Sequence, residues 1–95
     1  MRDSKYAREL ASVSKFWGSS EAKIERIYVK EFKQDEIRFS WWNEGRLIPR
    51  PLDVPEEDLL FLIQKALEAG VFSADFLSKL KKILETNDSV LERDC

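Results

Sequence analysis

Any proton chemistry in this chain falls to carboxylates, lysines and hydroxyls, because it contains no histidine. That omission removes the commonest general base near neutral pH and the commonest zinc ligand together. Two carboxylate groups are dense enough to consider as acid/base pairs. Glu31, Asp35 and Glu36 surround a polar break, and Glu56, Glu57 and Asp58 follow Pro55. The first group suits a hairpin turn and the second the positive end of a helix, so local structure already accounts for both. Neither has the spacing of a calcium loop. Ser14-Lys15 and Ser78-Lys79 place a hydroxyl beside an amine, yet both read as solvent-facing positions and not as a nucleophile with its base. Three glycines are too few for a phosphate cradle. Cys95, the single cysteine, cannot close an intrachain disulfide or build a thiolate metal site alone, and no residues follow it to form a prenylation box. The expectation is a protein without catalytic residues, metal or cofactor.

Recognition chemistry has better candidates. The turn Asn43-Glu44-Gly45, read as a three-residue loop, sets Trp42 opposite Arg46, Trp41 opposite Leu47 and Arg38 opposite Arg50. One sheet face then carries Ile37, Phe39, Trp41 and Leu47, and the other Arg38, Ser40, Trp42, Arg46, Ile48 and Arg50. Facing arginines repel, so an anion is expected near them. The preceding strand leaves two registers open. A three-residue loop at Lys33-Gln34-Asp35 adds Arg26, Tyr28 and Lys30 to the arginine face, giving a basic platform with aromatic surfaces for bases and phosphates. A loop of two or four residues sets Phe32 against Ile37, Tyr28 against Trp41 and Glu31 against Arg38. The arginines are then neutralised internally, and Ile27 and Val29 need cover from a helix. Phe61, on the polar side of a helix beside Lys65 and Glu68, is a second candidate contact.

These residues need a scaffold, and the pattern predicts one. Tyr6, Leu10, Val13 and Trp17 recur at helical spacing, which predicts a helix over residues 4–17 with Gly18 ending it. Residues 23–32, 36–42 and 46–50 are rich in β-branched and aromatic types and predict a three-stranded antiparallel meander, with Pro49 and Pro51 confining the last strand to an edge. Asp53-Val54-Pro55-Glu56 opens a helix over 55–69 as a capping box, and Ser73 caps another carrying Phe76, Leu77, Leu80, Ile83 and Leu84. The expected fold is α+β in the order αβββαα: an N-terminal helix, the meander and a C-terminal helical hairpin. Residues 1–85 form one domain in this reading, and 86–95 a polar, frayed tail.

At 95 residues, 43% hydrophobic and 36% charged, the composition is that of a small globular unit. The net charge of −2 hides an asymmetry. Residues 1–50 hold 11 Lys/Arg against 8 Asp/Glu, whereas residues 51–95 hold 5 against 10. The opening MRDSKYAREL carries charge and no apolar stretch, so no secretory signal is expected, and the glycosylation pattern at Asn87 has no meaning without one. No run approaches the ~20 apolar residues of a membrane span. The reading is therefore a cytoplasmic, non-enzymatic protein-interaction module, an adaptor, inhibitor or regulatory subunit able to self-associate. Its partner contacts are Trp42, Phe61, Arg38, Arg46 and Arg50. The alternative is nucleic-acid binding through Arg26, Tyr28, Lys30, Arg38, Trp42, Arg46 and Arg50.

Overall fold

The computed structural model describes residues 3–87 and has the order βββββαα. The described residues fall into two compact units that meet at Leu60/Phe61. The first holds an antiparallel sheet. Its strands are β1 (Ala7–Trp17), β2 (Ser20–Val29), β3 (Gln34–Asn43), β4 (Arg46–Leu47) and β5 (Leu52–Val54). β1, β2 and β3 are sequential neighbours, and β4 and β5 both lie on the free edge of β3.

The expected N-terminal helix is instead β1, and the sheet exceeds three strands. Two facts explain why the strand prevails. An isolated helix of that length gains little in water, while β1 pairs with β2 at ten positions from Ala7↔Val29 to Trp17↔Ser20. Gly18 sits at φ +58 as the first central residue of the two-residue connection, the position where a type II′ hairpin turn needs glycine. The same left-handed geometry closes helices, so Gly18 is compatible with either reading. A register shift between Glu9 and Ala11 marks a β-bulge in β1.

The β2–β3 connection lies upstream of the expected break. Lys30–Lys33 is the loop, with Lys33 at φ +53, and Val29 pairs with Gln34. Arg38 therefore faces Glu25, not Glu31, six residues away from the expected pairing. Side chains on β2 fall on the faces expected for a two- or four-residue loop, because a shift of six preserves parity. The β3–β4 loop also differs. It has two residues, Glu44 and Gly45, both at positive φ as a type I′ turn requires. One residue fewer in the loop moves Leu47 opposite Trp42 instead of Trp41 and flips β4.

Pro49 and Pro51 interrupt the edge strand as their missing N–H groups dictate, with Arg50 between them at φ +67. The chain then rejoins β3 as β5, where Asp53 faces Arg38. Asp53 spends its carboxylate on that arginine, so it does not cap the helix that follows.

α1 (Glu56–Glu68) begins with Glu56, Glu57 and Asp58 in its first turn, and α2 (Ala74–Thr86) follows. Ser73 caps α2 as expected, its Oγ accepting from the Phe76 N–H at 3.1 Å. Val71 N–H closes α1 on the Ala66 carbonyl at 2.9 Å, a 6→1 bond. The helical hairpin of the sequence reading is corrected on one point: α2 does not pack along α1. Neither helix has a buried residue. Leu60, Ile63 and Leu67 on α1, and Phe76, Ile83 and Leu84 on α2, are exposed stripes at helical spacing.

Candidate functional site

The sheet register assigns every side chain to one of two faces, and the two differ in an unusual sense. One carries Ala7, Glu25, Ile27, Glu36, Arg38, Ser40 and Trp42. All the buried residues among those described point this way: Ala7, Glu25, Ile27, Glu36 and Ser40. Only Ala7 and Ile27 of these are apolar, so the sealed face is the polar one.

That polar face is a connected network. Glu25 is 1% exposed and accepts from Ser40 Oγ at 3.0 Å, while Ser40 Oγ accepts from Trp42 Nε1 at 2.9 Å. The Lys23 ammonium lies 4.5 Å from the Trp42 ring centroid. Arg38 donates through Nε and Nη2 to the two oxygens of Asp53 at 2.7 and 2.9 Å, a fork that ties β5 to β3. Those hydrogen bonds raise the Arg38 guanidinium above its ordinary range. Burial opposes the shift, and the charges of Asp53, Glu25 and Glu36 add to it. Among the described residues no buried side-chain nitrogen or oxygen lacks a partner. A shallow cavity of about 550 Å³ on this side is lined by Tyr6, Ala7, Glu9, Ile27, Arg38 and Leu47. Its charged groups are already engaged: Arg38 by Asp53, and Glu9 by an interaction of its own.

The opposite face is apolar and open. Val13, Trp17, Ile24, Phe39, Trp41 and Leu52 share it. Val13 is 68% exposed, Trp17 50% and Trp41 46%. Trp17 and Trp41 stack with centroids 5.5 Å apart and planes at 22°, reaching across β2 where Ser20 and Ala22 are too small to separate them. The small Ala22 also leaves a depression of about 520 Å³ between Val13, Lys15, Ile24, Phe39 and Trp41. Charges on this face lie around the apolar patch. Arg26 is bound to Asp35 at 3.2 Å and Glu56 at 2.6 Å. The hydrogen bond to Glu56 foremost, with that to Asp35, holds its guanidinium above the ordinary range, while desolvation opposes the shift. The other charged residues of the face are Arg8, Lys15 and Arg46, all basic.

The residues proposed from sequence fall apart into separate environments. Arg38 and Trp42 lie on the polar face and are half-buried; Arg26, Tyr28 and Arg46 lie on the apolar one. Tyr28 sits beneath the Arg8 guanidinium at 5.6 Å. Lys30 stands in the β2–β3 loop, donating to Asp3 and to the Ser4 carbonyl. Arg50 is exposed between its two prolines, and Phe61 is exposed on α1 with the Lys65 ammonium 5.6 Å from its ring. The expected basic platform is therefore split between faces, and Arg26, Lys30 and Arg38 each have carboxylate partners. The repelling pair Arg38/Arg50 does not form, since Asp53 occupies the position opposite Arg38.

Trp17 and Trp41, absent from the expected contacts, are exposed, whereas the expected contact Trp42 is half-buried. The missed signal is the alternation Ala11, Val13, Lys15, Trp17 ahead of Gly18, which is a strand pattern entering a tight turn. No helix among the described residues is long and apolar enough to cross a membrane. No protein-family model, curated protein or solved structure matches this chain.

Proposed function

We propose that this chain is a small, non-enzymatic protein-interaction module of the cytoplasm, and that the apolar sheet face is its binding surface. The observation that supports this reading most is the exposure of a contiguous row of large side chains, Val13, Ile24, Trp17 and Trp41, on the face opposite the sealed network. Apolar surface left in water forgoes about 25 cal/mol per Å², and contiguous patches of several hundred Å² mark protein contacts. Tryptophan is the residue most enriched among interface anchors, and here two of them are stacked into one rigid platform. The binding surface thus moves from Trp42 to Trp41 and Trp17. The absence of histidine supports a non-enzymatic role, and a single cysteine suits a reducing compartment.

A photo-crosslinking phenylalanine analogue at Ile24 tests the reading. Irradiation in the native cell is expected to give a covalent polypeptide adduct mapped to this face, while the same analogue at Glu31, in the β2–β3 loop, gives none. Equal yields at the two positions, or no adduct at Ile24, overturn it.

A further inference from the structure

The registers set the apolar sheet face in rows. One row runs Lys15, Ala22, Trp41, and the next runs Trp17, Ser20, Asn43, Arg46. Each therefore has a tryptophan and a cation at opposite ends. Beside the tryptophan stack, over the small Ala22, lies the depression of about 520 Å³, walled by Val13, Ile24, Phe39 and Trp41 with Lys15 at its margin. Clefts of roughly 300–1,000 Å³ with apolar walls and a few placed polar groups are the usual shape of a binding pocket.

Charge on this face is one-sided. Among the described strand residues its one acid is Asp35, and Asp35 is bound to Arg26. Lys15 and Arg46 are exposed, and neither has a carboxylate partner among the described residues. The Lys15 ammonium rests 5.9 Å from the Trp17 ring centroid. An apolar hollow with two unneutralised cations beside it selects an occupant that is apolar at one point and anionic at its flanks.

Two other occupants fit less well. The same face of a second copy sets cation against cation. A single-stranded nucleic acid needs open ring faces on which to stack. Here the Trp17 ring already meets Trp41 and the Lys15 ammonium, and Tyr28 lies beneath the Arg8 guanidinium. The net charge of −2 also opposes a polyanion.

Resting on the interaction-module reading, we infer that the occupant is an acidic segment of another polypeptide. It seats one large apolar or aromatic side chain in the depression, with a neighbouring carboxylate on Lys15 and a second on Arg46. Three strand spacings, about 14 Å, separate β1 from β4, a distance that about four residues of extended chain span.

Selection on the full chain with a random dodecapeptide library tests the inference. Recovered peptides are expected to carry Trp, Phe or Leu with Asp or Glu close on both sides. A fluorescent synthetic copy of the strongest peptide is then titrated by polarisation. Ala22→Leu, which fills the depression, should abolish binding, and Lys15→Glu and Arg46→Glu should each weaken it about tenfold. Replacing the peptide's acids by lysine should shift its preference from the wild type to Lys15→Glu, a reversal that a misfolded variant cannot produce. Peptides enriched without acids, or binding indifferent to Lys15 and Arg46, overturn the inference. Tighter binding of labelled oligothymidylate than of any peptide also overturns it and assigns the face to nucleic acid. A polypeptide adduct at position 24 with no acidic peptide selected removes this occupant and leaves the protein-binding face standing. Absence of both removes the two together.

Discussion

Trp17 and Trp41 stack face to face over β2, although β1 and β3 are not neighbours in the sheet. Their contact depends on the small side chains of Ser20 and Ala22 beneath them. It makes one aromatic platform out of two strands that share no backbone hydrogen bond.

This stack is expected to be an energetic unit. A double-mutant cycle of Trp17→Ala and Trp41→Ala, read by urea unfolding, should give a coupling of about 0.5–1.5 kcal/mol, the usual worth of an aromatic pair beyond its buried area. The same cycle between Trp17 and Trp42, on opposite faces, should be additive.

The buried hydroxyl of Ser40 serves both neighbours, donating to Glu25 and accepting from Trp42 Nε1. Ser40→Ala removes a donor from a buried carboxylate and the acceptor of an indole N–H in one step. A loss of about 1–3 kcal/mol is expected in urea unfolding. Ser40→Thr, which keeps the hydroxyl, should lose clearly less.

Glu44 occupies the left-handed region at φ +52 in the type I′ turn with Gly45. A glutamate there is strained, and asparagine is the preferred residue at the first central position of such turns. Glu44→Asn is expected to stabilise the protein by about 0.5–1 kcal/mol, seen as a rise of a few degrees in Tm. An unchanged or lower Tm contradicts the turn assignment.

The Asp3 carboxylate accepts a hydrogen bond from Lys30, which lowers its pKa below the ordinary 3.8; desolvation opposes the shift, and the charges of Lys30 and Arg8 reinforce it. A lowered folded-state pKa means that this contact stabilises the fold fully above the ordinary value. The contribution fades as pH falls through the lowered one. Because the pair is exposed, the effect is best read by carboxyl NMR titration. Asp3 should titrate below 3.8 in the wild type and return toward that value in Lys30→Met.

Local signals decided most of what could be read from the sequence. Ser73 caps α2, Glu56–Asp58 open α1, and the prolines at 49 and 51 break an edge strand, each through chemistry confined to a few residues. The failures come where two structures share one local signal. Tyr6, Leu10, Val13 and Trp17 fit a helical stripe, but Ala11, Val13, Lys15 and Trp17 fit a strand equally well, and Gly18 at positive φ serves either end. Only the long pairing with β2 separates these, and pairing is a non-local property. Register failed for the same reason. Shortening one turn by a residue carried Leu47 from Trp41 to Trp42, and moving the other turn carried Arg38 from Glu31 to Glu25. The candidate site inherits the error: Trp41 and Trp42 are adjacent in sequence, and their roles exchange with the face each occupies.

The interrupted edge at Pro49–Pro51 has a consequence for growth. A sheet adds strands through open edges, and filaments need two of them, one to give and one to receive. Here one side is broken by two prolines and a left-handed arginine, and the remaining long edge is β1 alone. Strand addition at that edge can join two copies and then has no further edge to use. The prolines thus act as a chain terminator, restricting edge-to-edge association to a finite pair.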